Sequence, residues 1–83
     1  LKVLHLRTKK AHDTWQITDE NQPDWVKKAF ADGGFKQNGQ RLQIVNTYGL
    51  TKISVSKDEV IIFNGKYAKI VPKAKFEREY KAL

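Results

Sequence analysis

A chain of 83 residues with sixteen Lys and Arg against nine Asp and Glu, a net charge of +7, is one small basic domain spanning residues 1–83. A domain of this length buries only roughly 60–65% of its unfolded surface, which leaves little area for a deep pocket and argues against an elaborate enzyme. It has no cysteine, so disulfide frameworks, thiolate metal sites and cysteine nucleophiles are excluded.

No apolar run approaches the roughly 18–20 residues of a membrane span, and Leu1 to Leu6 is too short and too alternating for a signal-peptide core. The segment reads as soluble and intracellular, with no membrane partner. A first residue of Leu suggests that the numbering starts inside a longer translated product.

Along the chain, Val3 to Arg7 alternates weakly, and Lys9-Lys10-Ala11 breaks the pattern. Residues 1–10 hold Lys2, Arg7, Lys9 and Lys10 with no acid, a basic arm that is either flexible or an edge strand. The run His12 to Thr18 puts Trp15 and Ile17 on one face, the period of a half-buried strand. Asp19 to Asp24 then carries helix-start signals: an Asn/Gln cap region, Pro23 in the first turn, and acids near the positive end of the helix dipole. Trp25, Val26, Ala29 and Phe30 form the apolar stripe of a helix of two to three turns, which Gly33-Gly34 ends.

Phe35 to Gln40 reads as a loop. The run Arg41 to Asn46 presents Leu42 and Ile44 to one side, Thr47 to Leu50 is a turn, and Lys52 to Ser56 alternates with Ile53 and Val55 inward. With Lys57-Asp58 as the next turn, these strands and the following hairpin succeed one another as an antiparallel meander. In that hairpin Asn64-Gly65 predicts a two-residue type I′ loop, pairing Phe63 with Lys66, Ile62 with Tyr67 and Val60 with Lys69. Ile61 and Phe63 face the other way, so both faces of this strand are partly covered. After Pro72, the spacing of Phe76, Tyr80 and Leu83 marks a closing helical stripe with Lys73, Lys75, Arg78 and Lys81 outward. The sum is an α+β domain: an antiparallel sheet of four or five strands, one helix after the first strand, and a short C-terminal helix packed on the sheet.

A strand containing Trp15, an acidic turn, a short helix, then residues 42–49 (Leu-Gln-Ile-Val-Asn-Thr-Tyr-Gly), Asp58 to Ile62, a Gly turn and Phe76-Glu77-Arg78-Glu79-Tyr80 resembles a family of small phage and prophage proteins. The resemblance covers about residues 9–81 and is carried by Trp15, Gly49, Ile61, Ile62, Gly65, Phe76, Glu77 and Tyr80. Where the family has Pro-Gly-Asp, this chain has Lys57-Asp58-Glu59, which keeps the acid at Glu59. The resemblance implies a phage or prophage origin and a place in the cytoplasm of a bacterial host. It implies no activity, cofactor or catalytic residue.

Reaction chemistry is poorly represented. His5 and His12 fall on opposite faces if one strand spans both, and no third ligand is spaced near them, so they read as surface histidines and not a metal or general-base site. Ser54 and Ser56 lack the tight turn that activates a nucleophile. Asp19/Glu20 and Asp58/Glu59 sit in turns, where carboxylates cap backbone amides. Gly33-Gly34 lacks the Lys and Ser/Thr of a phosphate-binding loop and follows a helix where such a loop precedes one.

A non-catalytic protein without cofactor or metal is therefore expected, a protein-interaction module acting as adaptor or inhibitor of a host or phage protein. The alternative is a nucleic-acid binder. In that reading Lys66, Lys69, Lys73, Lys75 and Arg78 grip phosphates, and Tyr67 or Trp15 stacks on a base. Both tryptophans are expected in the core.

Overall fold

The structure, a computed structural model, describes residues 2–51 and 53–83; Leu1 and Lys52 lie outside the described residues. The elements are β1 (Lys2–His5), β2 (Ala11–Trp15), α1 (Asp24–Ala31), β3 (Phe35–Asn38), β4 (Arg41–Ile44), β5 (Ile53–Val55), β6 (Glu59–Phe63), β7 (Ala68–Pro72), α2 (Lys73–Glu79) and β8 (Tyr80–Ala82). The α+β class holds, and every strand pair is antiparallel. The single sheet of four or five strands does not: there is a five-stranded sheet in the order β7-β6-β2-β1-β8 and a three-stranded sheet β3-β4-β5.

The division follows from how many faces each strand must cover. On β4 and β5 only Leu42, Ile44 and Val55 are buried, while Arg41, Gln43 and Ser54 are exposed, which suits a sheet with one wet face. On β6 the consecutive Val60, Ile61 and Ile62 are all buried, so this strand needs cover on both sides and lies between β2 and β7. The expected meander therefore stops at β5. At the crossing between sheets, Ser56 donates from its N–H and Oγ to Glu59 Oε1 at 3.0 and 3.2 Å, holding the turn.

Four further expectations are corrected. Helix α1 follows the second strand, because Lys2–His5 is itself a strand between β2 and β8, with Val3 buried, and not a flexible or edge arm. Pro23 is the N-cap of α1 rather than a first-turn residue; its carbonyl accepts from the N–H groups of Val26 and Lys27, and no side chain caps the helix. Phe35 to Asn38 is a strand, not a loop, with Phe35 buried. The closing helix ends at Glu79: Tyr80 has extended backbone and opens β8, and Leu83 is 69% exposed, so the stripe Phe76, Tyr80, Leu83 breaks after its first member.

The β6–β7 hairpin forms with a shifted register. Phe63 pairs with Ala68, Ile62 with Lys69 and Val60 with Val71, leaving a four-residue loop over residues 64–67. Asn64 is not at positive φ, so the type I′ geometry fails there. Its side-chain Oδ1 accepts from the N–H groups of Lys66 and Tyr67 at 2.9 and 2.8 Å, building a turn from the side chain and drawing Tyr67 out of the ladder. Two consecutive positive φ angles occur instead at Tyr48 and Gly49, in the turn where Thr47 and Leu50 exchange backbone hydrogen bonds.

As expected, Gly33-Gly34 terminates α1. Gly34 N–H reaches Ala29 O and Gly33 N–H reaches Phe30 O, the paired bonds of a Schellman ending. Two clusters fill the interior. Trp15, Ile17, Val26, Ala29, Phe35, Leu42, Ile44, Val55 and Ile61 pack between α1 and the two sheets, and Val3, Val60, Ile62, Val71 and Tyr80 pack on the other face of the five-stranded sheet, with Phe76 of α2 against them.

Candidate functional site

Alternation of strand direction decides which loops meet. The β1–β2 turn, the β6–β7 loop and the junction from α2 into β8 all leave the five-stranded sheet at the same end, since β1, β6 and β8 have antiparallel neighbours in unbroken succession. Arg7, Lys9 and Lys10 belong to the first of these, Lys66 to the second, and Arg78 to the last turn of α2. Leu6 N–H donates to Glu79 O at 2.9 Å, tying the N-terminal turn directly to the end of α2. Parts of the two basic ends, Arg7, Lys9 and Lys10 from one and Arg78 from the other, thus lie together at one end of the sheet, while Lys2 and Lys81 belong to its other face.

Of the five residues singled out as phosphate or partner contacts, Lys66 and Arg78 lie at this end, Lys69 and Lys75 lie between the two ends of the sheet, and Lys73 starts α2 at the far end, where its N–H donates to Asp58 O. Lys66 sits in the hairpin loop with its Nζ 5.2 Å from the Tyr67 ring centre. Lys69 projects from β7 onto the same face as Ile62 and Val71. Lys73, Lys75 and Arg78 are exposed on α2, which connects the edge strands β7 and β8 and packs on β6, β7 and β8. Acids accompany them: Glu77 and Glu79 on α2, Glu79 lying 3.8 Å from His5 Nε2, and Asp58 and Glu59 beside Lys73.

The two histidines are where sequence spacing misled. His5 and His12 lie on adjacent antiparallel strands, not on one, and the β1–β2 register puts both on the α2 side of the sheet. Tyr80 stands between them: its ring centre is 4.7 Å from His5 and 6.2 Å from His12, both edge-to-face, and 5.3 Å from Phe76 in a stack. Lys69 Nζ approaches the same ring at 5.9 Å. Burial, followed by the positive charges of His5, Lys69 and Lys10, holds the His12 imidazole below its ordinary pKa. Three buried polar atoms find no hydrogen-bond partner among the described residues: His12 Nδ1, Tyr80 OH and Trp15 Nε1. Among the described residues no group of three or more His, Asp or Glu is arranged to hold a metal ion.

Most aromatic side chains are occupied inside the molecule. Trp25 stacks on Phe63 at 4.7 Å, Tyr48 tilts against Phe63 at 4.6 Å, and Trp15, Phe30 and Phe35 continue the chain of edge contacts. Trp15 is 2% exposed, which removes it as a base-stacking residue, and Trp25 is half-buried. Tyr67, 54% exposed beside Lys66, is the aromatic left in solvent at the basic end. Ser54 accepts from Arg41 Nε at 2.9 Å on the exposed face of the smaller sheet. No helix among the described residues is long and apolar enough to cross a membrane.

The grouping of His5, His12 and Tyr80 escaped sequence reasoning because it needs the β1–β8 pair, formed by the first and last strands. No protein-family model, curated protein or solved structure matches the chain.

Proposed function

We propose that this chain is a non-catalytic binding domain whose basic end and α2 face dock on the phosphate backbone of a nucleic acid. The observation that carries the reading is the β1–β8 pairing, which brings the basic β1–β2 turn beside Arg78 in the last turn of α2. A surface of clustered Lys and Arg attracts phosphates by releasing their counterions. The scarcity of exposed aromatics favours a duplex, gripped through its backbone, over a single strand read by stacking. The resemblance of residues 9–81 to small phage and prophage proteins adds a phage or prophage origin and a cytoplasmic place in a bacterial host to the same proposal.

A second reading has its own support. β7 is an edge strand of the larger sheet and Tyr67 stands exposed at its start, a combination suited to an adaptor or inhibitor that adds a partner's strand to the sheet.

Anisotropy of labelled duplex DNA, single-stranded DNA and RNA, titrated with the protein at low and near-physiological salt, separates the two. The nucleic-acid reading expects affinity to fall by about 0.9 log units per phosphate contact per log unit of salt on duplex, and to collapse in a Lys69→Glu, Lys73→Glu, Lys75→Glu variant. Absence of binding at low salt, or binding that the reversals leave intact, rejects it and turns the search to protein partners.

A further inference from the structure

The polar atoms left without partners in the second core are not scattered. Tyr80 opens the edge strand β8, Lys69 lies on the opposite edge strand β7, and His12 is on the central strand β2 between them. Four strand spacings separate the edges, about 19 Å along a flat sheet. The two long side chains therefore reach inward from both edges, and they meet over β2: Lys69 Nζ is 5.9 Å from the Tyr80 ring centre, and that ring is 6.2 Å from His12.

Tyr80 is 5% exposed, and a buried hydroxyl without a hydrogen bond is costly to keep. A phenylalanine would fill the same space without that cost. Beside this orphan donor stand the Lys69 ammonium, the second orphan at His12 Nδ1, and His5, whose Nε2 is partly compensated by Glu79. Lys10, opposite His5 in the extended β1–β2 register, adds to the positive field at His12. The Glu79 carboxylate serves His5, and no acceptor among the described residues reaches Tyr80 OH or His12 Nδ1.

We propose that Tyr80 OH, the His12 imidazole and the Lys69 ammonium form a seat for one tetrahedral oxyanion, a phosphate group either free or within a phosphodiester. The hydroxyl and a protonated imidazole donate to its oxygens, and the ammonium closes over it from the exposed side. The inference rests on the nucleic-acid reading for a source of phosphodiester, and on the geometry alone for the seat.

Proton binding at His12 reports occupancy. A bound dianion favours the imidazolium, so it moves the His12 titration upward, against the burial and the His5, Lys69 and Lys10 charges that hold it down. The experiment is an NMR titration of the imidazole nitrogens of the intact chain across pH, in sodium phosphate and in sodium chloride of equal ionic strength. Phosphate is expected to raise the His12 midpoint by about one pH unit relative to chloride, the signature of a tenfold preference for the protonated form.

Tyr80→Phe, which keeps the ring, and Lys69→Gln, at an exposed position, are each expected to remove most of that difference; Lys36→Gln, on β3 of the other sheet, leaves it unchanged. Equal midpoints in phosphate and chloride overturn the seat, as does a phosphate shift that survives both variants. A duplex oligonucleotide arm identifies the source: a His12 shift with duplex but not with free phosphate assigns the seat to a phosphodiester. Duplex binding that leaves His12 unmoved, with free phosphate equally silent, overturns the seat and leaves the docking surface standing. A phosphate shift without duplex binding retains the seat and rejects the docking reading.

Discussion

Trp25 donates its indole N–H to Asp13 Oδ2 at 2.9 Å, so helix α1 is hydrogen-bonded to the central strand of the larger sheet. The same carboxylate accepts from the backbone N–H of Thr14 at 2.9 Å and has Lys2 Nζ at 4.0 Å. Burial pushes the Asp13 pKa up, but it is outweighed by interactions that include the Trp25 and Thr14 hydrogen bonds, and the carboxyl titrates below its usual range.

A folded-state pKa below the unfolded one means that Asp13 contributes stability above the unfolded carboxylate value and loses it as pH falls through the folded value. Trp25→Phe keeps an aromatic ring against Phe63 and deletes the donor. It is expected to cost about 1.5–3 kcal/mol near neutral pH, the range for a hydrogen bond to a charged group. Urea midpoints of parent and variant should converge as pH drops toward about 3, below the ordinary Asp pKa. A gap that stays constant with pH means that the loss is packing and not the bond to Asp13.

Phe76, in the middle of α2, and Tyr80, just past its end, make unequal demands. Phe76 is half-buried and none of the α2 side chains is fully buried, whereas Tyr80 is 5% exposed and packs with Val3, Val60, Ile62 and Val71. As members of one helical stripe the two aromatics would count alike. With the helix ending between them, Tyr80→Ala should cost about 3–5 kcal/mol and Phe76→Ala clearly less, about 2 kcal/mol. Thermal denaturation of the two variants side by side checks the order, and equal losses would contradict it.

The hydroxyl of Tyr80 is a separate matter from its ring. Because Tyr80 OH has no hydrogen-bond partner among the described residues, Tyr80→Phe removes a desolvation penalty and breaks no bond. Its melting temperature in phosphate-free buffer should equal or exceed that of the parent. A loss of more than about 1 kcal/mol would show that the hydroxyl is engaged.

Local patterns in the chain were legible where one residue type meets one backbone need. The stripe of Val26 and Ala29, the Gly33-Gly34 stop and the inward alternation of Leu42, Ile44 and Val55 are all of this kind. The β3–β4 hairpin carries its signal in Gly39-Gln40, the two residues between paired Asn38 and Arg41: positive φ at Gly39 alone fits the Gly-X two-residue loop and not an Asn-Gly one. Asn64-Gly65 reads as a type I′ loop and misleads in detail, because the Asn64 side chain bonds the loop backbone itself. What no local pattern encodes is the closure of the sheet by β8. Three residues, Tyr80 to Ala82, pair with Val3 to His5, and the candidate site exists only through that contact.

The hairpin loop invites its own test. Asn64 Oδ1 accepts two backbone N–H bonds, and Asn64 N–H donates to Tyr67 O at 3.0 Å. Asn64→Ala deletes the two side-chain bonds at an exposed turn and is expected to cost about 1–2 kcal/mol at net values per bond. Amide exchange at Lys66 and Tyr67 should quicken sharply while exchange at Ile61 and Ile62 follows only the global loss. Unchanged protection at Lys66 and Tyr67 would mean that the loop holds its shape without the side chain.

Among the glycines the tightest surroundings are at Gly34, where a Cβ would fall 2.8 Å from Thr47 Cβ. The contact is fixed on both sides: Gly34 N–H is held by Ala29 O, Gly34 O accepts from Val45 N–H at 2.8 Å, and Thr47 anchors the turn that carries Tyr48. Tyr48 in turn donates its hydroxyl to Trp25 O at 2.7 Å, so a displaced Thr47 strains the link between that turn and α1. Gly34→Ala is therefore expected to destabilise by about 1–3 kcal/mol through overpacking. Gly39→Ala is the comparison: its Cβ meets no atom within 4 Å, and its φ of +63° leaves backbone strain as the whole cost, on the order of 1 kcal/mol. Near-ultraviolet circular dichroism separates the mechanisms, since Gly34→Ala should perturb the Trp25 and Tyr48 signals in the folded state and Gly39→Ala should not. A Gly34→Ala variant with the parent's stability and spectrum would refute the close contact with Thr47.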